Sequence, residues 1–165
     1  MKARVRFCLG TRGTSTLEFA VVGAVFISLV LFTMEVCWQM TIDLALNYGA
    51  RAASRFGMTG APVPAGMTPG PSSRSDAILR LVVGSTGGIL LAGRLQLNET
   101  AYPSFAAVGI ATSATPGAGG PGQIVRYSLS YSQPFITLMP SLFVGSSAAV
   151  HHATVVVLNE PYATP

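Results

Sequence analysis

The chain has 165 residues, 50% hydrophobic and only 10% charged, with a formal net charge of +4. That is apolar for a soluble domain of this length, and one membrane helix accounts for much of the excess. The positive charge does not indicate a nucleic-acid partner: Lys2, Arg4, Arg6 and Arg12 crowd the N-terminus, and without them six basic residues balance six acidic ones.

Those cations, with no acidic residue among them, make residues 1–13 a basic leader ahead of Gly13-Thr14-Ser15-Thr16-Leu17-Glu18-Phe19. No charged residue then occurs from Phe19 through Met34. A carboxylate at the mouth of such a run is costly in lipid and calls for a partner. The Gly-x-x-x-x-Glu-Phe pattern resembles the processing site of type IV prepilins, in which a membrane peptidase cuts after the glycine. The resemblance implies cleavage between Gly13 and Thr14, which leaves Glu18 as the fifth residue of the mature chain. Cleavage would create an α-amine at Thr14, about one helical turn from Glu18. In a packed bundle of stems, pairing of that amine with the Glu18 carboxylate favours one register, so Glu18 and Phe19 are the expected assembly residues.

A spanning helix needs about 20 predominantly apolar residues, and Leu17 to Trp38 meets that length if Glu18 and Glu35 lie near the two interfaces. Trp38 fits the aromatic belt, and the leader cations place the N-terminus in the cytoplasm by the positive-inside rule. The rest of the chain then lies outside the inner membrane. A secretory signal peptide cut near Ala50-Arg51-Ala52 fits less well, because Glu35 and Asp43 separate that site from the apolar run. Cys8 falls in the leader, so it cannot bridge to Cys37 in a processed chain. Cys37 reads as a small apolar packing residue.

The helical pattern continues past the membrane through Ile42, Leu46, Tyr48, Ala50 and Ala53. Arg51 and Arg55 suit the last turns, Gly57 reads as the C′ residue, and Pro62 and Pro64 end any continuation. A helix over residues 14–56, from about Ser15 to Phe56, would be roughly 60 Å long, its first half in lipid and its second half packed on a domain.

Residues 57–72, rich in Gly, Pro, Ser and Met, read as a linker. The remainder, 73–165, reads as a small extracytoplasmic domain. Ser73 and Asp76 resemble a capping box, and Ala77, Ile78, Leu81 and Val82 predict a short amphipathic helix ending near Gly84. Arg94 to Tyr102 predicts a strand, and Gly109 to Gly122 a glycine-rich loop. Gln123 to Ser132 alternates most clearly, with Val125, Tyr127, Leu129 and Tyr131 on one face and Arg126, Ser128 and Ser130 on the other. Pro134 and Pro140 bound a crossing loop, and Ala148 to Leu158 predicts a last strand. The fold class is α+β: a long N-terminal helix, transmembrane in its first half, packed on a small antiparallel sheet in pilin-like fashion.

Nothing in the chain points to catalysis. Adjacent side chains on a strand face opposite ways, so His151 and His152 cannot readily chelate one ion. Gly84-Ser85-Thr86-Gly87-Gly88 lacks the Gly-Lys-Ser/Thr ending of a phosphate loop, and no serine sits in a nucleophile elbow. The expectation is a non-enzyme with no catalytic residues, metal or cofactor.

Together, the basic leader, the Gly13 to Phe19 motif and the segment Asn47-Tyr48-Gly49-Ala50-Arg51-Ala52-Ala53-Ser54-Arg55 resemble the TadE family of tight-adherence (Flp-type) pilus assembly proteins. The Val125 to Phe135 pattern and the ending Leu158-Asn159-Glu160-Pro161-Tyr162 are similar to that family as well, while His151-His152 departs from its more basic strand. The resemblance implies a minor pilin-like subunit (a pseudopilin) or assembly factor, a single-pass protein of the bacterial inner membrane with a periplasmic domain. Its implied partners are a prepilin peptidase, pilins and an inner-membrane pilus assembly platform. The alternative is an uncleaved, membrane-anchored periplasmic adaptor of a secretion or pilus platform. The two differ in whether Gly13 is cut.

Overall fold

A computed structural model describes residues 12–59 and 73–161. Cys8, most of the leader, residues 60–72 of the linker, the Ser73 side chain of the expected capping box and Tyr162 lie outside the described residues.

Helix α1 runs from Arg12 to Thr59 and helix α2 from Ser73 to Ser85. Strand β1 is Leu95–Tyr102, β2 Thr115–Pro116, β3 Ile124–Pro134 and β4 Ala148–Leu158, with a short helix α3, Met139–Val144, between the last two. The strands form one antiparallel sheet in the order β2-β1-β3-β4. This is the expected α+β architecture.

The period-two pattern of β3 decides which face is covered. Val125, Tyr127, Leu129 and Tyr131 are each no more than 2% exposed. Their cross-strand partners lie on the same face: Leu129 sits opposite Leu97 on β1 and Ala153 on β4. Ile42, Leu46, Ala50 and Ala53 of α1, with Ile78 and Val82 of α2, close over that face to make the core. A sheet of this size is marginal alone, so the helices supply the apolar cover it needs. On the opposite face a small cluster of Tyr102, Ala107 and Ile124 is buried near one end.

Chain direction orients the molecule. The β4 residue His151 meets Gln39 of α1, and farther along Glu160 donates its N–H to the Met58 carbonyl at 3.0 Å. Strand β4 therefore runs the same way as α1, and β3 runs back toward the start of the stem. The β3–β4 connection, residues 135–147, is the end of the head nearest the projecting part of α1.

Three details differ from the sequence-based expectation. First, α1 does not stop at Phe56 with Gly57 as its C′ residue; Gly57 is a buried helical residue. The last carbonyls of a helix need partners, and here Arg74 Nη2 donates to the Gly57 carbonyl at 2.7 Å while Glu160 serves Met58. Second, the loop after Gly109 contains β2, held by pairing of Thr115 with Ala101 and Pro116 with Thr100. Two residues are too few to show a period. Third, the crossing loop after Pro134 contains α3. Pro140 lies in its first turn, where a missing N–H costs nothing, and Gly145 ends it at φ 68°.

Candidate functional site

The first part of α1 stands clear of the head. From Thr14 to Met34 the side chains are exposed, with only Gly23 and Ser28 half-buried. Glycine 13 lies in the first turn of the helix, and Thr14, Glu18 and Phe19 are all exposed on it, Phe19 at 79%. Glu18 has no ion-pair partner among the described residues. At 1.5 Å per residue, residues 14–34 rise about 30 Å, the thickness of a bilayer's hydrocarbon core.

Two polar residues deep inside that run, Ser28 and Thr33, are satisfied locally. Ser28 Oγ donates to the Ala24 carbonyl and Thr33 Oγ1 to the Leu29 carbonyl, each at 2.8 Å. Such i to i−4 bonds leave little uncompensated polarity for an apolar medium to penalise. By length and composition α1 can cross a membrane.

The head grips α1 where the exposed run ends, and the first contact is electrostatic. Glu35 is 2% exposed. Its Oε2 accepts the Ile136 N–H and the Thr137 N–H, both at 2.9 Å, and the Thr137 hydroxyl at 3.3 Å. Its Oε1 accepts Gln39 Nε2 at 2.8 Å. A carboxylate is only an acceptor, so Gln39 must turn its amide nitrogen to Glu35 and its oxygen the other way. That oxygen lies 2.9 Å from His151 Nε2, and His151 Nδ1 lies 3.5 Å from Asp43 Oδ1.

Glu35, Gln39 and Asp43, spaced i, i+4 and i+8, thus form one polar seam on α1 that meets the β3–β4 connection and then β4. Sequence reasoning placed Glu35 at a membrane boundary but missed its burial. The visible signal was a Glu-x-x-x-Gln-x-x-x-Asp series at the end of an apolar run. Its partners lie 101 and 102 residues away.

Beyond the seam the contact surface of α1 turns small and apolar. Gly49, Ala50, Ala53, Ser54 and Gly57 are buried. A Cβ on Gly49 would lie 2.8 Å from Val82 Cγ1 of α2, and one on Gly57 would meet the Tyr127 ring. Small side chains here let two helices and a sheet approach closely, which is the physical content of the Asn47 to Arg55 segment. Its larger members, Tyr48, Arg51 and Arg55, are exposed on the other side of the helix.

The remaining singled-out residues disperse. His151 faces α1 while its neighbour His152 is exposed on the opposite face of the sheet, beside Gln96, Asn98 and Ser130. Cys37, expected to pack, is exposed on the stem. Among the described residues no three His, Cys, Asp or Glu side chains gather as a metal site would require. Asn159 of the terminal segment is buried, its Nδ2 bonded to the Ala118 and Gly120 carbonyls at 3.0 Å, so it ties the chain's end to the glycine-rich loop.

A family model described as TadE-like protein matches residues 13–55. The match starts at Gly13 and covers the exposed run, the polar seam and the small-residue surface through Arg55. No curated protein and no solved structure matches the chain. An apolar N-terminal helix of this kind fits a membrane anchor. Over residues 13–55 the chain is therefore similar to TadE-like proteins.

Proposed function

We propose that this protein is a minor pilin-like subunit or assembly factor of a tight-adherence pilus, without catalytic activity of its own. In this reading the basic leader stays in the cytoplasm, α1 crosses the inner membrane, and the head stands in the periplasm. A prepilin peptidase removes residues 1–13, and the mature chain works with pilins and the inner-membrane assembly platform.

The observation that carries the reading is the bare run of α1 from Thr14 to Met34 directly after a TadE-like start at Gly13. An apolar helix surface of that length left open on all sides is suited to lipid and to the stems of neighbouring subunits. Glu18 lies near its start. After cleavage its carboxylate has a nearby amine to pair with, its own or a neighbour's, and in low dielectric such a pair favours one register over others.

Intact mass and N-terminal sequencing of the membrane-extracted protein, with and without the cognate peptidase, test the processing step. A chain starting at Thr14 only when the peptidase is present supports the proposal. A chain starting at Met1 in both cases makes it an uncleaved anchored adaptor.

A further inference from the structure

We propose that the β3–β4 connection is a second membrane contact, a short apolar foot that inserts into the outer-leaflet interface beside α1. This rests on the reading of residues 14–34 as the membrane span.

The segment is unusual for a surface loop. Ile136, Leu138, Leu142, Phe143 and Val144 are 65%, 83%, 75%, 85% and 66% exposed. A cluster of large apolar side chains this exposed marks an interaction surface. From Tyr127 through Val150 the sequence contains no Asp, Glu, Lys or Arg. Nothing in it must therefore be stripped of ionic hydration on entering lipid, and nothing repels anionic headgroups.

What covers the surface follows from where it is held. Glu35 binds the backbone of Ile136 and Thr137 and is itself the first charged residue after the apolar run. If residues 14–34 fill the hydrocarbon core, Glu35 lies at the outer boundary, and its hydrogen bonds hold Ile136 and Thr137, the start of this connection, at the same level. Trp38, one turn farther along α1, suits the headgroup region. The direction of β3 and β4 makes this connection the end of the head nearest the span. Helix α3 has six residues, long enough to present Leu142 and Phe143 but too short to cross anything. Lipid is therefore the occupant that the span itself brings to this surface.

With two points of attachment the head would be held at a set tilt to α1's membrane axis rather than swinging from one helix.

The test uses full-length protein with Cys8→Ser and Cys37→Ser, reconstituted in phosphatidylethanolamine–phosphatidylglycerol vesicles. Single cysteines replace Phe143, Ile27 in the span and Thr154 on the exposed sheet face, each carrying an environment-sensitive fluorophore. Lipids brominated at shallow or deep acyl positions serve as quenchers. The expected result is a blue-shifted Phe143-site emission quenched by shallow bromines, an Ile27-site emission quenched by deep ones, and neither effect at Thr154. Quenching at Ile27 with Phe143 behaving like Thr154 overturns the foot alone. A blue-shifted Phe143 site that lipid does not quench also overturns it, in favour of a protein contact. No quenching at Ile27 overturns the membrane span, and the foot with it.

Discussion

The Glu35 carboxylate accepts the Thr137 backbone N–H at 2.9 Å across 102 residues of chain. That bond and its Ile136 neighbour join the stem to the head at the level where the stem becomes bare. They convert a charged residue that reads as a membrane-edge marker into the lowest fastening between helix and sheet.

Truncating this fastening should loosen the head's lower end. Glu35→Ala leaves the two loop N–H groups without their charged acceptor, an expected loss of about 2 kcal/mol, since hydrogen bonds to charged groups contribute ~1.5–3 kcal/mol each and water replaces part of that. Limited proteolysis of the detergent-extracted chain should show faster cleavage within residues 135–147, with the β1–β3 region unchanged. Equal protection in both proteins would mean that packing alone holds the connection.

The small-residue surface of α1 makes a graded prediction. Gly57→Ala drives a methyl into the buried Tyr127 ring and should destabilise by about 1–3 kcal/mol, as overpacking of a tight core does. Gly49→Ala meets Val82 Cγ1 at 2.8 Å and the Val82 carbonyl at 3.2 Å, but gains helix propensity of about 1 kcal/mol, so its net effect should be smaller. Gly23→Ala meets nothing within 4 Å, so it gains helix propensity without a clash and serves as the non-destabilising control. Thermal unfolding followed by circular dichroism ranks the three, and an unchanged midpoint for Gly57→Ala would contradict the close approach.

Glu99 supplies a pH prediction. It faces the covered side of β1, opposite Tyr127, and is 8% exposed. Burial raises its pKa above the usual carboxylate value, while the Ser75 hydroxyl at 2.9 Å and the Arg74 charge pull the other way. The folded chain therefore holds this proton more tightly than the unfolded chain does. Its stabilising contribution is complete below the unfolded value of about 4.3 and is lost as the pH rises through the higher folded value. Glu99→Gln keeps an acceptor for Ser75 and removes the buried charge. It should raise the unfolding midpoint at neutral pH and flatten the pH dependence above the usual carboxylate range. A variant that is less stable at neutral pH would show that attraction to Arg74 outweighs burial.

Glu18 should act in assembly and leave the fold alone. It is exposed on α1, far from the head, so Glu18→Ala is expected to preserve the head's thermal midpoint within about 0.5 kcal/mol, as surface changes usually do. Co-purification of partner pilins with the processed variant should fall. If cleavage and complex formation both stay unchanged, the registering role is wrong.

Much of this architecture was legible because it rests on local patterns. The uncharged run after Glu18, the cations before it, the alternation from Val125 to Tyr131 and the helical spacing from Ala77 to Val82 each show within a few residues which face is apolar. The Asn47 to Arg55 segment was legible by its resemblance to TadE-like proteins, while its close packing against α2 was not. These features determined a long stem and a sheet with one covered face.

The tertiary structure decided everything that depends on which distant backbone groups need a partner. Gly57 reads as a helix stop until Arg74 and Glu160 satisfy the last carbonyls and Tyr127 fills the space where a side chain would be. Glu35 reads as an interfacial charge until two N–H groups on a connection more than a hundred residues away converge on it. His151 shows no acidic neighbour in sequence, yet β4 lies along α1 so that Gln39 and Asp43 face it. A residue's chemistry is set by the donors, acceptors and apolar surface within a few ångströms, and in this chain those come together only when the sheet closes against the stem.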